Sequence, residues 1–267
     1  MRIRLTFVPT GLACAALCAT TLGLAAPAFA DPTNLVQNGS FETTSATTTY
    51  GGTTVGTNVN NTNLPGWQIN GCANSSSTCG FQFIVNSNYS TAGFYDAMDH
   101  HESTFYSTPG VSPDGGNAFM SDGNYQVNAL YQSVSGLKIG DTYTLKFLQA
   151  SLQQAGYTGA TQDNWNFGLY DPNSQVFDSR VAATMNNPSQ GSTSWAQQTA
   201  TFVATSTSEL LYFFASANQG AQPPFLLLDG VSLADNAPNV TVPEPATIAL
   251  VGAGFAGMIA ARRRRRG

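Results

Sequence analysis

Between residues 31 and 242 the apolar residues come in runs of four to eight, broken by Gly, Pro, Asn, Asp and Ser, and no segment there carries a 3.6-residue apolar stripe. Runs of that length read as strands, because a helix needs a longer periodic face to bury. Strands are expected over 35–42, 81–85, 117–120, 125–134, 141–149, 165–170, 175–178, 195–203, 209–215 and 225–233. Alternation puts Tyr143, Leu145 and Phe147 on the core face and Thr144 and Lys146 in solvent. The link 135–140 is only turn-length, so the strands on either side of it are expected to pair antiparallel. Ten or so strands with both faces partly apolar predict an all-β, two-sheet antiparallel β-sandwich. Two stretches read as irregular: 43–63, a surface loop so rich in Thr, Asn and Gly that it can bury almost nothing, and 86–116.

Both ends of the chain carry processing signals. Arg2 and Arg4 precede a mostly apolar stretch to Ala26, and Pro27-Ala28-Phe29-Ala30 ends in the small-x-small pattern read by signal peptidase, so cleavage is expected after Ala30. Cys14 and Cys18 leave with this signal peptide of residues 1–30. At the other end Pro243-Glu244-Pro245 leads into an apolar run, 246–261, and then Arg262 to Arg266. A helix over that run reaches about 24 Å, against a hydrocarbon core of about 30 Å. It makes a short transmembrane helix, held on the cytoplasmic side by snorkelling arginines.

This order of Pro-Glu-Pro, short apolar helix and terminal arginines resembles the PEP-CTERM sorting signal of Gram-negative bacteria. The resemblance implies recognition by an exosortase-type membrane protease and placement at the outer surface or in the extracellular matrix. It divides the chain into the signal peptide, an ectodomain over 31–236, and a linker plus sorting signal over 237–267. The bland alternative is a simple anchor helix.

Without its processed ends the chain has fourteen acids against three bases, Lys138, Lys146 and Arg180, a net charge of −11. Such a surface repels nucleic acid and anionic lipid heads, so membrane contact is confined to the unprocessed tail. Cations and neutral polymers remain as partners. Cys72 and Cys79 are the remaining cysteines, and in an oxidising exterior they are expected to pair, closing a short loop worth roughly 2.5 kcal/mol.

Three segments together look like the galactose-binding-like jelly roll of carbohydrate-binding modules: Asn34 to Glu42 with Pro65-Gly66-Trp67, then Tyr131 to Leu137 with Gly140 to Leu145, and Leu228 to Leu233. The resemblance implies a structural calcium between the first and last strands, with Glu42 and Asp229 as ligands. The chemistry agrees: Phe225, Leu227, Asp229, Val231 and Leu233 share one face at period two, where a lone carboxylate is costly unless paired or metal-bound. Carbonyls near Asn38, Gly39 and Asp141 would complete the shell. The alternative is that Asp229 sits at a bulge before Gly230 and faces water.

The function expected of such a chain is non-catalytic polysaccharide binding, through exposed aromatic rings with polar neighbours. Candidates are Tyr95, Tyr106, Tyr125, Tyr157 and Trp165, beside Asn124, Gln126, Asn164 and Asn166. Trp67 and Trp195 read as core. Trp165 stays open: Phe167 and Leu169 share its face, but it begins its strand beside a polar loop. A structural surface component without a defined ligand is the alternative reading. An enzyme would rest on Asp96, Asp99, His100, His101 and Glu102. Adjacent histidines on a strand point to opposite faces, and neither His-Glu-x-x-His nor Gly-x-Ser-x-Gly is present. Glycoside hydrolysis by paired carboxylates is the remaining catalytic alternative, and a solvated acidic loop the expected one.

Overall fold

The computed structural model describes residues 33–50, 53–71, 80–86, 94–96, 101–218, 223–236 and 262. The signal peptide, Cys72 and Cys79, Asp99 and His100, Pro243-Glu244-Pro245 and the apolar run 246–261 lie outside them. No helix among the described residues is long and apolar enough to cross a membrane.

Residues Asp31–Pro238 form one compact unit. In chain order its strands are β1 (Thr47–Tyr50), β2 (Thr53–Thr57), β3 (Gln68–Ile69), β4 (Gln82–Asn86), β5 (Phe94–Asp96), β6 (His101–Ser103), β7 (Asn117–Asp122) and β8 (Leu130–Ser135). The second half adds β9 (Thr142–Gln153), β10 (Thr161–Asp171), β11 (Val176–Val181), β12 (Met185–Asn187), β13 (Ala196–Val203), β14 (Ser208–Ala217) and β15 (Pro224–Asp235). One antiparallel sheet runs β13-β9-β15-β7-β4, the other β11-β10-β14-β8-β3 with β12 on β10. They make the jelly-roll sandwich. A small sheet, β1-β2-β5-β6, includes one parallel pair, β2 with β5.

Alternation builds the core. Tyr143, Leu145 and Phe147 are buried while Lys146 is exposed, and facing them Trp165, Phe167 and Leu169 of β10 and Leu211 and Phe213 of β14 fill the space between the sheets. The rings meet mostly edge to face, Phe147 with Phe167 at 4.9 Å and with Phe213 at 5.2 Å between centroids, the arrangement their quadrupoles favour. A second cluster sits on the outer face of the first sheet, where Phe83, Met120, Leu152, Phe225 and Leu227 are covered by Phe81, Phe105 and Trp195.

Four expectations need correction. The strands flanking 135–140 do not pair: β8 joins β14 and β3, and β9 joins β13 and β15. The link crosses between sheets, with Gly136 and Gly140 at positive φ, Leu137 buried, and the Lys138 N–H donating to Tyr143 Oη at 2.9 Å. Segment 35–42 is no strand, because Asn38 and Phe41 take φ of 50° and 54°; it touches β15 through the isolated bridge Asn34 to Ala234. The stretch 43–63 holds β1 and β2 and buries Ala46, Asn58 and Val59. Finally, β15 does not keep one face: a register shift between Asp229 and Ser232 sends Phe225 and Leu227 to the outer cluster and Val231 and Leu233 to the inner core. A bulge adds one residue, and one residue reverses the alternation.

Candidate functional site

The outer face of the second sheet carries a row of aromatic residues where strand alternation would lead one to expect polar ones. On β14 the outward positions are Leu210, Tyr212 and Phe214. Cross-strand partners place Tyr170 of β10 beside Leu210, and Tyr131 of β8 beside Tyr212. Phe177 of β11 pairs with Tyr170, their rings stacked 4.0 Å apart at 21°, and meets Tyr212 edge-on at 6.0 Å. Together with Asn70, Ala129 and Leu210 these residues line a cleft of about 430 Å³, within the range of small-ligand sites.

Gly168 lies in the middle of this face, between Ser179 and Tyr212 in the cross-strand register. A Cβ there would come within 2.0 Å of the Asp178 carbonyl oxygen, so the position is closed to any side chain. Its bareness lets the hydroxyls of Ser179 and Tyr212 meet at 2.5 Å above it. Among the described residues no charged side chain lines the cleft. Asp178 and Arg180 pair with each other, and the Arg180 guanidinium lies 5.1 Å from the Phe202 ring, on the core side of β11. Phe177 is 62% exposed and Phe214 39% exposed.

The residues singled out from sequence lie elsewhere. Trp165 is a core residue: it is 1% exposed, its indole N–H donates to the Leu227 carbonyl at 3.1 Å, and Phe119 and Phe213 pack on it. Trp67 is likewise buried, donating to the Asn38 carbonyl at 2.9 Å, and Trp195 is half-buried, donating to Gly110. Tyr106 and Tyr157 are exposed and stand at one loop end, where the Gly156 N–H donates to Tyr106 Oη. Tyr125 is exposed with its ring edge-on to Phe81. Tyr95 falls on β5, as Asp96 does, and His101 and Glu102 on β6. The cleft aromatics escaped notice singly; Tyr212 and Phe214 at i and i+2, with Tyr170 and Phe177 across a turn, are the signal that marks them.

A second group forms at the bulge of β15. Asp229 is fully buried; its Oδ2 accepts from the Ser112 hydroxyl at 2.5 Å and its Oδ1 from the Gly230 N–H at 2.7 Å. Burial pushes its carboxyl up to about 7 against the pull of those two bonds, and the like charges of Asp114 and Glu42 add to the rise. Glu42 is exposed, accepts from the Asn117 N–H at 2.6 Å, and lies so close to Gly116 that a Cβ would fall 1.7 Å from its Oε1. Glu42 and Asp114 thus lie near enough for their charges to act on Asp229. The bulge is also there, but Asp229 does not face water. Asp141 is not part of this corner: it lies near the opposite end of the β15–β9 ladder, its carbonyl accepting from Ala204 N–H. The Asn38 and Gly39 carbonyls are engaged by Trp67 and Val231. Among the described residues, no three His, Cys, Asp or Glu side chains stand close enough to form a metal cage by themselves.

No curated protein matches the chain. Among solved structures it is similar to the module TmCBM61, determined with β-1,4-galactotriose, at 12% identity over 76% of this chain and 99% of that one, with a TM-score of 0.40. It is similar too to the CBM22-2 xylan-binding domain of Paenibacillus barcinonensis Xyn10C, at 12% identity over 65% and 93%, TM-score 0.36. A family 16 carbohydrate-binding module shows 15% identity over 49% and 84%, TM-score 0.31. Residues 241–266 match the PEP-CTERM protein-sorting motif, and that motif makes this an exported protein sorted to the cell envelope.

Proposed function

We propose that the protein is a non-catalytic, polysaccharide-binding component of the outer surface or extracellular matrix of a Gram-negative bacterium, delivered there by an exosortase-type protease that reads its C-terminal motif. The aromatic cleft on the second sheet carries this reading. Sugar rings present C–H faces that pack on aromatic rings and hydroxyls that seek uncharged donors and acceptors, and Tyr131, Tyr170, Phe177, Tyr212 and Phe214 offer both around one 430 Å³ space. The described residues that line the cleft include no carboxylate, whereas glycoside hydrolysis calls for two across the scissile bond. Binding without cleavage is what its lining supports.

Affinity electrophoresis against neutral polysaccharides tests this. Retardation of the wild type is expected on at least one polymer, with Phe177→Ala and Tyr212→Ala weakening binding about tenfold or more, as loss of a buried aromatic anchor does. Tyr125→Ala and Tyr157→Ala should migrate as wild type. Retardation that survives the cleft substitutions and disappears with the loop tyrosines would move the site to the loop end.

We further propose calcium at the Glu42–Asp114–Asp229 corner. The donors are all oxygen, and a fully buried carboxylate with only like charges beside it is what a hard cation relieves. When bound, the ion neutralises Asp229 and ties the first segment to β15. Because no three acids form a cage alone, backbone oxygens or water must complete its shell. Saturating calcium, at about 100 times its dissociation constant, adds about 2.7 kcal/mol, or roughly 5–10 °C in Tm for a domain of this size. Asp229→Asn should abolish that shift, and a chelator-insensitive Tm in the wild type would remove calcium from this corner.

A further inference from the structure

The space between the two sheets is not apolar throughout. Along β9 the inward-facing row runs Tyr143, Leu145, Phe147 and then Gln149, Ser151, Gln153, all buried. Opposite, β10 runs Leu169, Phe167, Trp165 and then Asp163 and Thr161, and β12 places Asn187 across from Thr161. One end of the core is therefore lined by polar groups that strand packing does not require, each at most 1% exposed.

Their hydrogen bonds are incomplete. Asp163 Oδ2 accepts from Thr161 Oγ1 at 2.9 Å, and Gln149 Nε2 donates to the Ala183 carbonyl at 2.8 Å. The Ser151 hydroxyl lies close enough to Asp163 to pull its carboxyl down, yet neither Asp163 Oδ1 nor Ser151 Oγ makes a hydrogen bond of normal geometry, and Gln149 Oε1 and both polar atoms of Asn187 have no hydrogen-bond partner. Gln153 shows what a satisfied neighbour looks like, donating to Gly159 and accepting from Gln190. No base offsets the carboxylate: Lys138 pairs with Asp141 and Asp235, Arg180 with Asp178, and Lys146 is exposed on the other face of β9. The charge acting on Asp163 is the like charge of buried Asp122.

We propose that this polar end of the inter-sheet core binds one hard cation of the calcium type, with Asp163 Oδ1, Ser151 Oγ, Gln149 Oε1 and Asn187 Oδ1 as protein donors. A proton on Asp163 would remove the charge and pair it with Ser151, but would leave the amide oxygens of Gln149 and Asn187 unbonded. Water would bond the oxygens but leave two buried carboxylates repelling each other. A cation answers both, and one carboxylate with amide and hydroxyl oxygens is a hard-ion donor set of low charge, suited to the millimolar calcium outside cells. The site is distinct from the Asp229 corner, since Asp229 lies at the bulge beyond the outward-facing Phe225 and Leu227, while Asp163 faces inward. Its ion would brace β10, whose other face carries the cleft.

Calcium stoichiometry of the stripped, purified protein, measured by calorimetry and equilibrium dialysis, tests the assignment. Asp163→Asn is expected to bind one ion fewer than wild type, and Ser151→Ala to bind that ion about tenfold more weakly, with near-UV circular dichroism confirming that both are folded. Asp229→Asn should keep the Asp163 ion, so failure of the corner site and of this one are separate results. Should Asp163→Asn not fold, Asn187→Ser takes its place with the same expected loss of affinity. Unchanged stoichiometry and affinity in the folded variants would overturn the proposal and leave water as the occupant.

Discussion

Replacing Trp165 by alanine is expected to destabilise the protein by about 3–5 kcal/mol, the range for removing a buried tryptophan, and to lower Tm by on the order of 10 °C. The indole fills the space between Phe119 and Phe213, and its N–H caps the Leu227 carbonyl, so alanine leaves both a cavity and a buried acceptor without its donor. Trp165→Phe restores most of the volume and none of the hydrogen bond, and should fall between the two. Thermal melts of the three proteins decide it. If Trp165→Ala melts with the wild type but loses glycan binding, the ring is a surface platform and the packing described above is wrong.

Trp165 also shows what can be read in a sequence of this kind. Its period-two companions Phe167 and Leu169 argue for an inward face and the polar loop beside it for an outward one, which leaves it open; the structure buries it on a face that runs along β10 as far as Asp163, where it becomes polar. Alternation gives the side of a strand but not its neighbours. The cleft was invisible for that reason: Tyr131, Tyr170, Phe177 and Tyr212 are spread over four strands and meet only through the order β11-β10-β14-β8. That order is set by loops crossing between sheets, such as 135–140, which local turn chemistry alone read as a hairpin. Asp229 was legible as a carboxylate among apolar residues, yet the bulge that turns it away from Val231 leaves only Gly230 as its trace. Ser112 and Asp114, which share its corner, come from a stretch with no periodicity at all.

Metal-free protein should be more stable at pH 5 than at pH 8. Burial holds Asp122 and Asp163 at about 6, against the 3.8 of an unperturbed aspartate, even though Asn124 and Tyr125 donate to the first and Thr161 to the second. Below pH 3.8 both carboxyls are protonated whether the chain is folded or not, and they make no difference. Between 3.8 and about 6 these two folded groups keep protons that the unfolded chain has released, so stability falls as pH rises; their loss is complete above about 6, and that of Asp229, held at about 7, continues to that pH. About one pKa unit of that shift lies above pH 5, which corresponds to about 1.4 kcal/mol for one such group; the two repel each other, so their losses do not simply add. The expected change is a Tm lower by on the order of 10 °C at pH 8 than at pH 5. Asp171 works in the opposite sense, since Ser174 and Asn173 hold its carboxyl below the ordinary value and its contribution disappears in acid. Asp163→Asn should flatten part of the dependence, leaving that of Asp122 and Asp229, and raise Tm at pH 8, because it removes one buried charge and the repulsion on the other. Melts in buffer passed over a chelating resin give the comparison. A Tm that is flat or rising between pH 5 and 8 would mean that Asp122 and Asp163 are hydrated in the folded protein, and that the polar end of its core is open to water.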